Sequence, residues 1–153
     1  MNKKELIFKS TSINDIDLIL KLDKQEKTQR YLGGIKNKTK EERIVFLKKK
    51  ELNKMAYTVY LDDTKIGFIE LKSKENNNGE LSYIFDCDYW NNGICTEAIH
   101  KILKIGFEKM GLDIIYAYTA IDNWASIKVL EKNNFILSET VVRDNIHYFK
   151  YVI

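Results

Sequence analysis

The chain has 153 residues, of which 44% are hydrophobic and 12% aromatic, and its formal net charge at pH 7 is +3. This length is typical of one domain, and apolar content this high with so small a net charge excludes an intrinsically disordered chain. The composition therefore predicts a single domain over residues 1–153 with its own hydrophobic core.

The sequence shows no pattern typical of secretion, membrane insertion or metal binding. The opening MNKKELIF lacks the apolar segment of a signal peptide, and no apolar run approaches the roughly 20 residues of a membrane span. Cys87 and Cys95 have no Cys or His partner at zinc-site spacing. The lysines are scattered, as on solvated helix faces. We therefore expect a cytoplasmic protein without bound metal and without a nucleic-acid or membrane partner.

The first half of the chain is predicted as a strand, two helices and a strand hairpin. The stretch Ser10-Thr11-Ser12 offers a helix cap, and apolar residues follow it at helical spacing. Thr39, followed by Glu41 and Glu42, suggests the start of a second helix. Apolar residues then alternate in two runs joined by Asp62 and Asp63, which is typical of a hairpin. In chain order, we predict a strand at 6–8, a helix after Ser12, a helix from Thr39 to about Leu52, and strands at 56–61 and 65–71.

The second half alternates strands and helices. A polar loop at 73–79 precedes a strand at 80–85, and apolar residues at three-four spacing follow Gly93 as far as Gly111. We predict further strands at 114–119, 135–142 and 146–152, and we expect 114–119 to be buried on both faces. A helix is predicted to start at Asp122-Asn123 and to run to about Lys132. This order indicates one α/β (α+β) domain.

The turn at Asn92-Gly93 lies between a strand and a helix. Asn-Gly is typical of hairpins, but the next 17 residues have helical periodicity. The first turn of a helix leaves backbone N–H groups unpaired, and with the helix dipole they form an anion site. Gly93 and the small Cys95 would let a phosphate approach this backbone. The alternative is that Gly93 only ends a loop. Two other phosphate-binding motifs, GxGxxG and GxxxxGK[ST], are absent from the sequence.

Two stretches resemble the motifs of the GNAT acetyltransferases. YIFDCDYWNNGICTEA is similar to motif A, especially in the RimJ/RimL-like branch, with Trp90 at the Q/R position and Cys95 at the second small residue. AIDNWASIKVLEKNNF is similar to motif B, with Asn134 in place of the usual glycine. The resemblance implies a single-domain GNAT-like fold with a mixed central sheet of about seven strands, splayed parallel strands 4 and 5, and about four helices.

The resemblance also implies that acetyl-CoA is the cosubstrate. Its pantetheine arm would lie between strands 80–85 and 114–119, and its diphosphate would rest on the helix start. The cofactor-binding residues implied in this way are Ile84, Phe85, Asn91, Asn92, Gly93, Ile94, Cys95, Thr96, Asn123 and Ser126. Asn123 also fits a plain helix cap.

The family's reaction is attack of an amine on a thioester, which requires a proton acceptor and a proton donor. Glu80 is our candidate base. The alternative is that Glu80 is only a surface carboxylate paired with a lysine. The Phe85 N–H is the candidate oxyanion donor. The family's tyrosine acid, seven residues after the motif B asparagine, is replaced here by Leu130, so Ser126 is the candidate acid. The alternative is that Ser126 is only a small residue that allows the helix to pack closely.

The sequence therefore predicts an N-acetyltransferase that moves acetyl from acetyl-CoA to a primary amine by direct transfer in a ternary complex. The acceptor is a protein N-terminus or a small molecule, bound by the first two helices, residues 30–34 and the last hairpin. The absence of a tyrosine at Leu130 leaves a non-catalytic acyl-CoA-binding module as the alternative. A monomer and a homodimer both remain open.

Overall fold

The computed structural model describes residues 4–32 and 38–153. Within them the strands are β1 (Leu6–Ser10), β2 (Ala56–Leu61), β3 (Thr64–Ser73), β4 (Asn78–Phe85), β5 (Ile114–Ala120), β6 (Ile136–Arg143) and β7 (Ile146–Val152). The α-helices of the same ranges are α1 (Ile16–Asp23), α2 (Glu26–Gln29), α3 (Lys40–Glu51), α4 (Ile94–Glu108) and α5 (Trp124–Lys132). None of these helices is long and apolar enough to cross a membrane.

The strands form one mixed sheet in the order β1-β2-β3-β4-β5-β7-β6. The pair β4–β5 is parallel, and β5–β7 and β6–β7 are antiparallel. The parallel ladder joins Asn78 to Ile114, Gly79 to Ile115 and Glu80 to Tyr116, after which β5 continues to Ala120. The predicted α/β class and seven-stranded mixed sheet are confirmed, and the parallel ladder is short, as splayed strands require.

Contacts among Cα atoms group the chain into two compact units. The first contains the residues up to Glu70 together with Tyr83–Trp90, and the second contains Leu71–Ser82 and Asn91–Ile153. Each unit has its own apolar core. Fully buried side chains of the first unit include Leu22, Leu47, Val59, Ile66 and Ile69, and those of the second include Leu71, Ile99, Ile102, Ile115 and Leu130.

The predicted helix caps are confirmed. The Ser12 side chain accepts the N–H of Asn14, and the Thr39 side chain accepts the N–H of Glu42 in a reciprocal capping box. The structure differs from the prediction after Ser12, because Ile13–Asp15 form a 3₁₀ turn before α1 begins. The four-residue α2 was not predicted, since one helical turn is too short to show a hydrophobic period.

The polar loop predicted at 73–79 is shorter in the structure. β3 extends to Ser73 and β4 begins at Asn78, because Asn76 and Asn77 adopt left-handed conformations that turn the chain within a few residues. Gly79 therefore lies in a strand. A Cβ at Gly79 would lie 2.6 Å from a methyl carbon of Leu112, so this strand position accepts only glycine without repacking.

The expectation that residues 114–119 are buried on both faces is wrong. In β5, buried residues alternate with the half-buried Tyr116 and Tyr118. An apolar run that contains tyrosines can leave one face partly open to water, because the phenol ring is apolar while its hydroxyl seeks a polar partner. At the end of α5, Asn134 has φ +66°, a left-handed conformation that asparagine tolerates, so it can take the place of the family's usual glycine.

Candidate active site

The start of α4 is opened by a glycine in a left-handed conformation. Gly93 is the N-cap of α4, with φ +83° and ψ −8°, and its residue type provides no side-chain cap. Among the described residues, no atom outside Gly93 and its chain neighbours lies within 4 Å of a Cβ built at this position, so residues 4–32 and 38–153 leave the approach to the backbone open. This left-handed conformation is unfavourable for residues with a side chain. It fits both the predicted anion site and a glycine that only ends a loop, so the anion site stays a prediction.

Two of the first three amides of α4 are available to a ligand. The Ile94 N–H donates to Oδ1 of Asn92 at 3.3 Å, and the first helical bond runs from the Glu97 N–H to the Gly93 carbonyl. In the described ranges, the N–H groups of Cys95 and Thr96 have no hydrogen-bond partner. With the positive end of the helix dipole, these two amides can bind an anion. The N–H groups of Gly93 and Ile94 were also predicted to bind the diphosphate, and that of Ile94 already donates within the turn.

Cys95 fits the role of a small residue at this helix start. Burial raises the pKa of its thiol to about 12, so the side chain is neutral at physiological pH. A neutral, half-buried thiol adds no negative charge next to the open amides. The replacement of the family's usual glycine or alanine by cysteine is therefore compatible with an anion at this position.

The first turn of α4 is attached to the C-terminal end of α5 by a buried asparagine. Nδ2 of Asn133 donates to the carbonyl oxygens of Thr96 and Val129, at 3.2 Å and 3.0 Å. From the sequence, Asn133 was only the residue that follows the predicted end of a helix at about Lys132. Its role in fixing the first turn of α4 was missed, because nothing in the sequence pairs residues 96 and 133.

The two motif B candidates lie at the opposite end of α5. Asn123 is the N-cap of α5, and its Oδ1 accepts the N–H of Ser126 at 3.2 Å, so the plain capping alternative is present in the structure. Ser126 is half-buried. It lies seven residues before Asn133, which corresponds to about 10 Å along a helix. Ser126 therefore lies about two helical turns along α5 from the asparagine that contacts Thr96.

Leu130, which replaces the family's tyrosine acid, lies in the hydrophobic core. Leu130 is fully buried in α5, so it provides neither a proton donor nor a surface for a ligand. Thr119 of β5 is 5% exposed, and its hydroxyl has no hydrogen-bond partner in the part of the chain that the structure describes. A buried hydroxyl without a partner is unusual, because it loses its water without compensation. No sequence pattern identifies this group.

Glu80, which lies on β4, contacts a lysine and a tyrosine. Its Oε2 lies 2.8 Å from Nζ of Lys74 and 3.5 Å from the hydroxyl of Tyr116. The hydrogen bond with Glu80 raises the pKa of Lys74, and burial followed by the charge of Glu80 raises the pKa of Tyr116. The lysine-paired alternative for Glu80 is thus what the structure shows. Its role as a base stays a prediction.

In the first unit, the end of β4 is packed closely against β3. A Cβ at Gly67 would lie 2.5 Å from the carbonyl oxygen of Ile84 and 2.7 Å from the ring of Phe85, so only glycine permits this approach. The Phe85 carbonyl accepts the indole N–H of Trp90 at 2.9 Å. Trp90 therefore closes the turn that follows β4. The predicted contacts of Ile84 and Phe85 with pantetheine, and of the Phe85 N–H with an oxyanion, stay predictions.

A buried carboxylate organises the same turn. Asp86 is fully buried, and it accepts hydrogen bonds from Nζ of Lys21 at 2.5 Å, Nε2 of Gln25 at 2.7 Å and the N–H of Asp88 at 3.0 Å. Burial opposes ionisation, but the bonds from Lys21 and Asp88 outweigh it and lower the pKa of Asp86. The hydrogen bond between Lys21 and Asp86 raises the pKa of Lys21. The sequence did not predict this network.

Asp86, Cys87 and Asp88 bring three potential metal-ligand atoms within 4.8 Å of one another. Both oxygens of Asp86 already accept hydrogen bonds from Lys21 and Gln25, and the lysine ammonium would repel a cation. This group therefore serves the turn and does not form a metal site.

In the predicted acceptor region, Gly33 and Gly34 lie outside the described residues.

Comparison with known proteins decides the family. The profile described as "Acetyltransferase (GNAT) domain" matches residues 5–136, which is most of the chain. The chain belongs to the GNAT acetyltransferase family. This GNAT protein is an acetyl-CoA-dependent acetyltransferase, so the enzyme class implied by the two motifs is confirmed. The RimJ/RimL-like branch stays a prediction.

The relatives of this GNAT protein include bacterial enzymes with and without known substrates. The uncharacterized N-acetyltransferase YoaA of Bacillus subtilis (strain 168) is 28% identical over 140 residues, which cover 85% of this chain and 78% of that protein. The crystal structure of a GNAT-family acetyltransferase from Bacillus anthracis matches with a TM-score of 0.87 and 22% identity, over 99% of this chain and 96% of that chain.

A further match is spermidine N-acetyltransferase from Vibrio cholerae, whose crystal structure contains CoA and spermine. Its TM-score is 0.84 at 17% identity, over 97% of this chain and 94% of that chain. At such identities these two crystal structures establish a shared fold. The predicted GNAT fold is thereby confirmed.

Proposed function

We propose that this GNAT protein transfers acetyl from acetyl-CoA directly to a primary amine within a ternary complex. The observation that carries the proposal is the start of α4, where Cys95 and Thr96 present unpaired amides behind the open Gly93. Such amides at the positive end of a helix bind phosphate groups. The relative from Vibrio cholerae, which was solved with CoA, supports the choice of coenzyme A as their ligand.

Glu80 is the proposed acceptor of the amine proton. Bound acetyl-CoA supplies a thioester, and only a neutral amine has the lone pair that attacks it. The Glu80 side chain is 31% exposed, so its ion pair with Lys74 lies close to solvent. Exposed ion pairs contribute little free energy, so Glu80 can exchange Lys74 for an amine at small cost.

Ser126 is the proposed donor of a proton to the departing sulfur. In coenzyme A the pantetheine arm separates the sulfur from the diphosphate, so a donor to the sulfur has to lie well away from the diphosphate site. The placement of Ser126 toward the start of α5, while Asn133 at its other end contacts Thr96, agrees with this requirement. Asn123 is proposed to contact the coenzyme from the same end of α5.

For the acceptor we propose a protein N-terminus, with small amines as the second class. The RimJ/RimL-like features of the Trp90–Ala98 segment support the first class. The Vibrio cholerae relative, which is named for spermidine, supports the second. Both classes carry the primary amine that the proposed chemistry requires.

The proposal is tested by release of free thiol from acetyl-CoA. The protein is mixed with acetyl-CoA and with peptides that have free N-termini, and then with spermidine and an aminoglycoside. We expect saturable turnover with at least one peptide and none with the same peptide after N-terminal blocking. Saturable binding of CoA without turnover on any of these amines would support the acyl-CoA-binding module instead.

The roles of Glu80 and Ser126 are tested by Glu80→Gln and Ser126→Ala. Each is expected to lower kcat by roughly 100-fold with little change in CoA affinity, because a proton-transfer group acts in the transition state. The matched control is Glu131→Gln, since Glu131 also accepts a tyrosine hydrogen bond, from Tyr151 at 3.2 Å. Near-normal kcat in both variants across pH would remove these two assignments and leave the enzyme class untouched.

A further inference from the structure

The outer edge of β6 is open. β6 is the last strand of the sheet and pairs with β7 on one side, and the described part of the chain places no strand on its other side. Ile136 is 74% exposed, Leu137 48% and Val142 58%. An exposed edge strand presents unpaired backbone N–H and C=O groups to any complementary strand. This edge is therefore able to accept one.

β6 carries few of the features that protect natural edge strands. Its sequence, ILSETVVR, contains no proline and no lysine. One irregularity interrupts its pairing with β7, between Leu137 and Glu139, and the segment from Glu139 to Arg143 is then regular. The three consecutive residues Thr140, Val141 and Val142 are all β-branched, which favours extended pairing. The open edge thus has a straight segment of five residues.

The charges of this segment make it complementary to itself. Glu139, Val141 and Arg143 lie on one face of the strand, and Thr140 and Val142 lie on the other, since side chains alternate. We propose that β6 pairs antiparallel with β6 of a second copy of this chain, about a twofold axis at Val141. Glu139 then lies opposite Arg143 of the second copy, and the pair occurs twice in the dimer.

Registers centred on either charged residue are less favourable. Pairing centred on Glu139 places two carboxylates opposite each other, and pairing centred on Arg143 places two guanidinium groups opposite each other, which destabilises a sheet. The two charged side chains have partners in the single chain, since Glu139 bonds Lys150 at 3.0 Å and Arg143 lies 4.0 Å from the ring centre of Tyr118. Both of these partners lie on β7 or β5, beside the strand, so they leave the outer backbone edge open.

A charge exchange tests this register. In Glu139→Arg, two arginines face each other twice, and in Arg143→Glu two glutamates do so. We expect each single variant to raise the dissociation constant of the dimer about tenfold or more, and the double variant Glu139→Arg/Arg143→Glu to return it to near the wild-type value. The measurement is sedimentation equilibrium over a concentration series. The proposal is overturned if the wild type stays monomeric, or if the double variant is no closer to wild type than the single variants are.

A cross-link tests the twofold axis even if the charge variants fold poorly. Val141→Cys would face its own copy across the axis, with about 4.5–5.5 Å between the Cα atoms, which is within the range of a disulfide. We expect diamide to convert this variant to a covalent dimer, and to convert the matched control Val142→Cys much less, since residue 142 faces Thr140. Both variants retain Cys87 and Cys95. Equal cross-linking of the two variants, or none, contradicts the proposal.

Discussion

At the scale of single residues, Gly93 carries most of the functional argument. It is the left-handed N-cap of α4, and a Cβ at this position would lie more than 4 Å from any described residue other than its neighbours. Asn and Asp are nearly the same size, and both tolerate left-handed conformations better than other residues with side chains. They therefore offer a matched pair of substitutions that differ in charge.

We expect Gly93→Asp to weaken coenzyme A binding at least tenfold more than Gly93→Asn does, because its carboxylate repels the diphosphate. Aspartate is a favourable N-cap residue, so loss of the helix does not explain such a difference. Isothermal titration with coenzyme A measures both affinities, and thermal unfolding checks that both variants fold. Equal affinities for the two variants would place the diphosphate elsewhere.

The unpaired hydroxyl of Thr119 leads to a prediction about stability. Thr119→Val removes a buried polar group at nearly constant shape, so we expect the free energy of unfolding to rise by about 1 kcal/mol. The matched control is Thr58→Val in β2, because the buried Thr58 hydroxyl donates to Oδ2 of Asp15 at 2.8 Å and its loss should destabilise the protein. Urea unfolding measures both variants. Destabilisation of similar size in both would contradict the assignment of Thr119 as unpaired.

At the scale of secondary-structure elements, the close approach of β3 and β4 depends on Gly67. A methyl group at Gly67 would lie 2.5 Å from a backbone oxygen, which cannot move without shifting the strand. We expect Gly67→Ala to lower the free energy of unfolding by about 2 kcal/mol. The control is Gly111→Asn, since Gly111 has φ +65° and open space around it, and asparagine tolerates that conformation. Wild-type stability of Gly67→Ala in urea unfolding would show that the strands are not so closely packed.

The elements also show what the sequence could and could not reveal. The caps at Ser12 and Thr39 and the start of α4 were predictable, because capping and hydrophobic periodicity are local. The contact between Asn133 and Thr96 was not, since it joins residues 37 positions apart through a side-chain hydrogen bond. The Asp86 network was missed for the same reason, because its lysine lies 65 positions away in the sequence. Local patterns thus locate helix starts such as that of α4, but not side-chain contacts between residues that are far apart in the sequence.

At the scale of the whole molecule, the Asp86 network should appear in the pH dependence of stability. The folded-state pKa of Asp86 lies below its ordinary value of 3.8. A group of this kind stabilises the folded state above its unfolded-state pKa, and the contribution is lost as the pH falls through the folded-state pKa. The wild type should therefore lose this stabilisation below about pH 4.

We expect Asp86→Asn to lower the free energy of unfolding at pH 7 by about 2 kcal/mol, because the hydrogen bond from Lys21 loses its charged acceptor. The variant should then lose less stability than the wild type does between pH 5 and pH 3. Urea unfolding at several pH values measures the difference, and Asp63→Asn, in the exposed β2–β3 turn, is the control. Parallel pH profiles for wild type and Asp86→Asn would show that Asp86 is not the ionised partner of Lys21.

The central claim is that the amides at the start of α4 hold the diphosphate of coenzyme A. A crystal structure of the protein grown with coenzyme A tests it most directly. We expect diphosphate oxygens to accept hydrogen bonds from the N–H groups of Cys95 and Thr96, next to Gly93. A well-ordered coenzyme whose diphosphate lies elsewhere, with those two amides facing water, would contradict the account.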